Sequence, residues 1–568
     1  MRQTLRRWTP GLDTLTHYDR SWLRPDVVAG VVLAAILVPQ GMAYAELAGL
    51  PPVTGLYTTI ACLVAYAIFG PSKVLVLGPD SSVSPLILAS ITPLLVAGDP
   101  GSAIVLAGML AVLVGLIEIG LGVAKLGFVA DLLSSEVRVG YLNGLAVTII
   151  VGQLPKLFGF STDASGFVDE VRAFVKGLDQ RNRTTLLTGI AVLVVLLVLP
   201  KITTRVPAVL VAVVGVTVAS ALLDLSSEGV KTVGTLPHGF PTPSIPWTDA
   251  SDAVALMVGA VGITMVSLTD TIATASSFAA RRGDEVDANA EMVGVGASNV
   301  AAGLFQGFAV SVSGSRTAVA DQSGARTQAT GLVGAGLVAL LLLVFNGLLA
   351  DLPQTALAAV VIAAALSLTD VGSLARFARL RRSSFVVSLV ATAGVIFLGV
   401  LQGIVLAIVL AILLFFRRSW WPHGAVLGDV PELGGWHSLD AYPDGAQSDG
   451  IVVFRWEAPL FFANAGQFRD QVRRLVRDRS PAFVVLQCEA VTDIDVTAAE
   501  VLADLDEELN AKGVHLAFVE LRDRLHDLIV RYDLQATLDE EHFFPSIDVA
   551  IRQLTQEPPE QGGGRPRD

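Results

Sequence analysis

Residues 305–320 read FQGFAVSVSGSRTAVA. Long apolar stretches flank this segment on both sides, and its centre holds Ser311, Ser313, Gly314, Ser315 and Arg316. An arginine in the middle of a membrane domain costs roughly 2.5–3.5 kcal/mol on insertion scales unless it faces a polar cavity or a partner. Arg316 is therefore expected to be placed for function. A second stretch, VLVLGPDSSVSPLIL at 74–88, has the same design: an apolar extended lead-in, a Gly-Pro break, then small hydroxyl residues opening an apolar helix. Broken apolar segments at matching positions in two halves point to a transporter site formed by two half-helices facing each other across an inverted repeat. Free N–H groups and the positive dipole end of each half-helix, two hydroxyl clusters and Arg316 together suit an anion.

Composition sets the class. Of 568 residues, 52% are hydrophobic and only 16% charged, and the mean hydropathy is +0.62, too apolar for an ordinary soluble chain of this size. The formal charge of −13 comes mostly from acids in the last 140 or so residues, which suit a solvated cytosolic surface; no basic patch suits nucleic acid. Cys62 and Cys488 fall in an expected membrane helix and in the soluble tail, so no disulfide framework is expected. The N-terminus lacks an apolar core followed by a cleavage site and reads as a retained cytosolic lead-in.

Apolar windows fall near 26–46, 53–70, 81–97, 103–123, 131–154, 184–200 and 206–223. After a Pro-, Ser- and Gly-rich connection at 225–249 they recur near 252–276, 289–309, 315–328, 330–349, 354–369, 384–401 and 403–416. The expected fold is a polytopic α-helical membrane protein with fourteen transmembrane segments in a 7+7 inverted repeat, followed by a small α/β domain. In the first window Pro39-Gln40-Gly41 predicts an unwound turn beside Gln40 and Tyr44. With the N-terminus inside, fourteen crossings put Lys125, Lys201 with Arg205, Arg281 with Arg282, Arg376 to Arg382 and Arg417 with Arg418 in the cytoplasm. The loop at 156–183 is the exception. The expected parts are a cytosolic segment at 1–25, a transport domain at 26–418 with repeats at about 26–224 and 250–418, a linker at 419–448, the α/β domain at 449–555 and a disordered tail at 556–568. Within the α/β domain, IVVFRW (451–456), LFFAN (460–464), AFVVLQC (482–488) and VHLAFV (514–519) read as strands, separated by helices.

On the stretches VPQGMAYAELAGLPPVTGLY (38–57), LGPDSS (77–82) and VSGSRTAVA (312–320), the chain resembles the sulfate permease family, the bacterial relatives of the solute carrier family 26 anion transporters. The tail resembles a STAS domain, the module shared with anti-sigma factor antagonists, through APLFFANAGQFRD (458–470) and VTDIDVTAAE (491–500). The resemblance implies a substrate pocket lined by Gln40, Tyr44, Asp80, Ser81, Ser82, Ser313, Gly314, Ser315 and Arg316. Asp80 departs from the aromatic or apolar residue of many animal members, which puts animal-style electroneutral exchange in doubt. Asp270 resembles the eighth-helix acid used by prokaryotic and plant relatives for cation coupling, with Thr274 one turn on. A proton on Asp270, or sodium held by Asp270, Thr274 and backbone carbonyls, is the coupling ion. The resemblance further implies a homodimer in the bacterial inner membrane with both termini cytoplasmic, and a cytosolic partner for the STAS domain. Thr497 stands at the phosphorylated position of the antagonists.

Each residue has a plainer reading. Arg316 could be locked in an ion pair, Asp270 could be a structural acid, and Gln40 could satisfy backbone carbonyls freed at the proline. Glu118 is expected to serve packing or an interface. Thr497 is expected to cap the helix that follows it. The seven histidines are scattered outside the expected spans, and no metal spacing, phosphate loop or nucleophile elbow occurs in the sequence, so neither an enzyme nor an ATP-driven pump is expected, and no cofactor beyond the coupling ion. The expected activity is secondary transport of a small inorganic or carboxylate anion (sulfate, bicarbonate or a dicarboxylate), coupled to protons. The alternatives are a sodium-coupled bicarbonate symporter, an anion exchanger, and a non-transporting receptor or scaffold with the STAS domain as output.

Overall fold

The computed structural model describes residues 9–95, 100–162, 164, 166–203, 206–237, 239–534, 537–538 and 540–556. Residues 1–8 of the expected lead-in and 557–568 of the expected tail lie outside them. The chain separates into two compact units after Ala411.

In the first unit, helices α1 (Pro10–Thr16), α2 (Leu23–Leu47) and α3 (Pro52–Phe69) are followed by a two-residue strand β1 (Leu77–Gly78) and the short helix α4 (Ser84–Ile91). Then come α5 (Pro100–Val123), α6 (Ser135–Phe158), α7 (Phe167–Gly177), α8 (Arg183–Ile202) and α9 (Ala208–Leu223). The second half repeats the plan: α10 (Ala250–Arg282), α11 (Ala288–Leu304), strand β2 (Ser311–Val312), α12 (Gly314–Gln322), α13 (Ala329–Val344), α14 (Gln354–Leu368), α15 (Val371–Leu380), α16 (Arg382–Leu398) and α17 (Val400–Trp420). A helical element stands at each of the fourteen expected windows. Among the described residues, eight stretches have the length and hydropathy of a membrane span, and α4, α9, α13 and α16 are shorter apolar helices.

Packing sorts these elements into two bundles, each drawing on both halves. In one, α11 lies against α5 and α3, α13 against α2 and α3, and α10 against α4 and α5. In the other, α6 lies against α14 and α16, and α8 against α14 and α9. The α5–α11 contact is backbone on backbone: a Cβ on Gly296 would come 2.7 Å from the carbonyl oxygen of Gly115. Small residues let apolar helices approach to where dispersion, the main attraction available in lipid, is strongest.

An extended segment inside an apolar bundle must have its N–H and C=O groups satisfied by protein. The two broken segments do this partly for each other. β1 and β2 pair antiparallel, Leu77 opposite Val312 and Gly78 opposite Ser311, and the Ser313 N–H continues the pairing to Val76 O at 3.0 Å. Side chains finish the task. Thr317 Oγ1 accepts from Val76 N at 3.1 Å, and Gln328 Nε2 donates to Ser72 O and Leu75 O. On the other segment Thr58 Oγ1 accepts from Phe308 N at 3.1 Å and Asn299 Oδ1 from Val310 N at 2.7 Å. Glu118, fully buried, accepts from Asn299 Nδ2 at 2.8 Å, so its expected packing role takes the form of anchoring this side chain.

Two expectations for the first unit change. The unwound turn at Pro39 is absent, because α2 runs unbroken from Leu23 to Leu47 with Pro39 inside it; a helix packed on its neighbours tolerates the loss of one N–H donor. Asp26, read only as the start of a window, is buried and accepts from Arg326 N, Thr327 N, Thr327 Oγ1, Thr330 Oγ1 and Tyr18 OH, tying α2 to the start of α13.

The second unit contains a six-stranded sheet of order β4-β3-β5-β6-β7-β8. Strands β3 (Gly424–Asp429) and β4 (Trp436–Ser438) arise within the stretch expected as a linker, and β3 pairs antiparallel with β5 (Ile451–Trp456). Strands β5, β6 (Phe483–Gln487), β7 (His515–Val519) and β8 (Phe543–Phe544) are parallel. The intervening helices are α18 (Ala465–Arg479), α19 (Val496–Asn510) and α20 (Asp523–Arg531), with α21 (Ile547–Leu554) last. The expected strand at 460–464 is a turn leading into α18, and Leu460 makes an isolated bridge to Ile494. Thr497 is not the cap of α19. Asp495 takes that place, accepting from Ala498 N at 2.8 Å, as a carboxylate beside free N–H groups should, and Thr497 stands exposed in the first turn.

Candidate anion site

The ends of the two broken segments open on one cavity of about 900 Å³. Helix α2 contributes Gln40 and Tyr44, and the turn after β1 contributes Asp80 and Ser81. From α10 come Asp270 and Thr274, and from the start of α12 come Ser313, Gly314, Ser315 and Arg316. Asp80 and Ser313, far apart in sequence, thus share a wall because β1 and β2 pair and α10 packs against β2 and α4. Ser82, the remaining expected member, is 1% exposed and does not line the cavity; it lies behind the wall, on the carboxylates.

Helix α12 begins at Gly314, one residue after β2, with Ser313 as its cap, and Ser313 Oγ lies 3.2 Å from Ser315 Oγ. A Cβ on Gly314 would lie 3.8 Å from Thr274 Oγ1, which places Thr274 beside the helix start. Arg316 is 1% exposed. Its Nε, Nη1 and Nη2 have no hydrogen-bond partner, and its nearest acid, Asp80, stands 3.9 Å away. The locked ion pair considered for Arg316 is therefore loose, and its planar fork of donors is available to an oxyanion. Gly78 makes the space, since a Cβ there would come 2.8 Å from Arg316 Nη1.

The first segment differs. After Asp80 the chain makes a turn through residues 81–83 before α4 begins at Ser84. The Asp80 carboxylate itself takes up the donors at this end, accepting from Ser82 N at 2.9 Å and Ser82 Oγ at 2.8 Å. The expectation of two equivalent anion-facing helix ends gives way to one such end and one carboxylate-bearing turn. Ser82 Oγ also lies 3.2 Å from Asp270 Oδ2, so one hydroxyl bridges the two acids.

Gln40 makes no side-chain hydrogen bond to the carbonyls near Pro39, and its buried Oε1 has no partner. That sets aside the plainer reading of this residue. The sequence reading passed over Arg138 on α6, which lines the same cavity. The signal was present as a lone arginine inside the apolar window 131–154.

The sulfate permease family model matches residues 23–391, and the STAS domain model matches residues 442–550. The chain is 42% identical over 548 residues to a probable sulfate transporter of Mycobacterium tuberculosis, covering 96% of this chain and 98% of that protein. It is 30% identical over 563 residues to the chloroplastic sulfate transporter 4.1 of Arabidopsis thaliana, covering 95% of this chain and 81% of that one. The structure of the murine solute carrier 26 family member A9 anion transporter in the inward-facing state superposes with a TM-score of 0.88 at 24% identity, over 98% of this chain and 95% of that one. The transmembrane domain of the cyanobacterial bicarbonate transporter BicA gives 0.61 at 23% identity, over 70% of this chain and 98% of that one. A shared arrangement of broken segments, a family match across the helical unit and a second across the sheet unit lead to one assignment: the chain belongs to the sulfate permease family.

Proposed function

We propose that the protein is a secondary active transporter of small oxyanions or carboxylates, driven by proton symport and working by alternating access. The observation that carries the reading is Arg316: a guanidinium 1% exposed, without hydrogen-bond partners, at the start of a helix that opens on the cavity. A buried charge left unpaired is costly, and an anion seated between Arg316, the Gly314–Ser315 backbone and the Ser313 and Ser315 hydroxyls offsets that cost. Gln40 and Tyr44 shape the opposite side of the seat. Sulfate leads the substrates because two of the relatives compared are named as sulfate transporters over nearly the whole chain, with bicarbonate and dicarboxylates next.

Asp270 carries the proton. The hydroxyl of Ser82 has a single proton to share between Asp80 and Asp270, and a protonated Asp270 becomes a donor in its own right, which completes the bridge. Thr274 faces the same cavity and would serve a sodium ion instead. The two helical bundles supply the moving parts, one holding both broken segments and the other closing over them. Basic residues at Lys125, Lys201, Arg281, Arg282 and Arg417 support a cytoplasmic side shared by both termini.

Uptake of labelled sulfate, bicarbonate and fumarate into proteoliposomes under an inward proton gradient tests this reading, with wild type compared against Arg316→Ala and Asp270→Asn. One anion should enter, Arg316→Ala should abolish its entry, and Asp270→Asn should remove the proton-driven part while sparing exchange. Uptake that follows sodium and ignores pH would replace the proton. Substrate binding without flux would make the protein a receptor.

A further inference from the structure

Among the described residues, the cavity wall holds four charged side chains: Asp80, Asp270, Arg316 and Arg138. The first three belong to the bundle that holds the broken segments. Without Arg138 they would sum to one net negative charge, a field that repels any anion while both acids are ionised. Among the described residues, Arg138 brings the wall to neutrality. It stands on α6, which packs against α14 and α16 in the other bundle, so the two arginines face the same space from different bundles.

Among the described residues, the Arg138 guanidinium also has no hydrogen-bond or ion-pair partner. It is half-buried, and no carboxylate lies within ion-pair distance of its guanidinium among the described residues. Asp270 and Asp370 are two acids whose fields reach it. The Asp370 carboxylate is already used as the cap of α15, accepting from Ser373 N at 2.8 Å, and the Asp370 N–H is held by Asn143 Oδ1 at 2.8 Å. Arg138 is thus a cation that lines the cavity and is free of ion pairs among the described residues.

We infer that Arg138 is a second substrate contact that selects dianionic oxyanions over monoanions. The inference rests on the reading of the cavity as an anion site. A tetrahedral dianion has oxygens on opposite sides and charge enough for two guanidinium groups, so it bridges Arg316 on one bundle and Arg138 on the other. A monoanion neutralises one guanidinium and leaves the second without a counter-charge. Loading by a dianion therefore draws the bundles together, and loading by a monoanion does so less.

The test is calorimetric titration of the purified full chain with sulfate and with nitrate at fixed pH, using wild type, Arg138→Gln and Arg138→Lys. The expected result is at least about a tenfold rise in the sulfate Kd for Arg138→Gln, less than about a threefold change for nitrate, and recovery of most of the loss in Arg138→Lys. Arg138→Cys, titrated before and after reaction with 2-aminoethyl methanethiosulfonate, toggles the charge on one folded sample; Cys62 and Cys488 are both buried. Equal losses for sulfate and nitrate, an unchanged sulfate Kd, or a charge toggle without effect would overturn the inference. Binding and flux separate the two claims: selective sulfate binding without uptake defeats the transporter and leaves the role of Arg138 standing, whereas a wild type that binds neither anion defeats both.

Discussion

The two broken segments share one backbone design and do opposite work. Each is an extended lead-in, a strand of two residues paired with the other, and a short helix. The second passes directly from β2 into α12 and leaves the donors of Arg316 unused. The first inserts a turn, and Asp80 takes the local N–H and hydroxyl for itself. Internal symmetry thus supplies two frames of one design, and one side chain per frame sets the charge it presents, Arg316 in the second and Asp80 in the first. An arginine four residues after β2 and an aspartate two residues after β1 make the difference.

The most severe way to break this comparison is to make the second segment as poor in donors as the first. Arg316→Gln should weaken sulfate binding by about 3–4 kcal/mol, the range for removing one member of a buried charge contact, with little loss in thermal stability because no hydrogen bond to its guanidinium is given up. Titration together with a melting curve checks both halves of that statement. A large fall in melting temperature would return Arg316 to a structural role. Next in size, Asn299→Leu removes the side chain that satisfies both Val310 backbone groups and Glu118. Leaving buried polar atoms unpaired costs about 1–3 kcal/mol each, so this variant should show the larger drop in melting temperature. Asp80→Asn sharpens the comparison from the other side. If Asp80 keeps the first segment from receiving the anion, its neutralisation should tighten sulfate about tenfold, which is about 1.4 kcal/mol, and reduce proton stimulation of uptake. Weaker binding would mean that this segment contributes to the anion seat after all.

How much of this was legible in sequence depended on distance along the chain. The breaks at Gly78-Pro79 and Ser313-Gly314 announce themselves through residue types that cannot continue a helix, and the elements between them follow from hydropathy. Arg138 was hidden by the opposite circumstance, a lone arginine averaged into an apolar window whose charged residues cluster at its start. Apart from Tyr18, the partners of Asp26 lie about 300 residues away, so little in the local sequence marks it as more than a helix-start acid. Strands β3 and β4 escaped because a short run such as GAVLGD resembles a connector until β5 arrives to pair with it. Gln40 was found for an imperfect reason: the helix does not unwind at Pro39, yet the residue faces the cavity.

The smallest effect worth measuring concerns the lead-in to the second segment. Thr58 Oγ1 donates to Thr54 O at 2.7 Å and accepts from Phe308 N at 3.1 Å, so Thr58→Val keeps the shape and removes the acceptor. The Phe308 N–H is buried and would have no water to turn to, and a lost neutral hydrogen bond of this kind costs about 1 kcal/mol. Thr317→Val makes the matching change for the first segment by removing the acceptor of Val76 N. Both variants should lower the melting temperature by a similar small amount, because the backbone problem is the same in each frame. Their effects on transport should differ, since Thr58 holds Phe308, six residues before the start of α12, whereas Thr317 adjoins Arg316. Sulfate Kd should therefore move more in Thr317→Val than in Thr58→Val at equal loss of stability. Equal shifts in Kd would mean that the two segments act as one rigid body and that the division of labour lies entirely in Asp80 and Arg316.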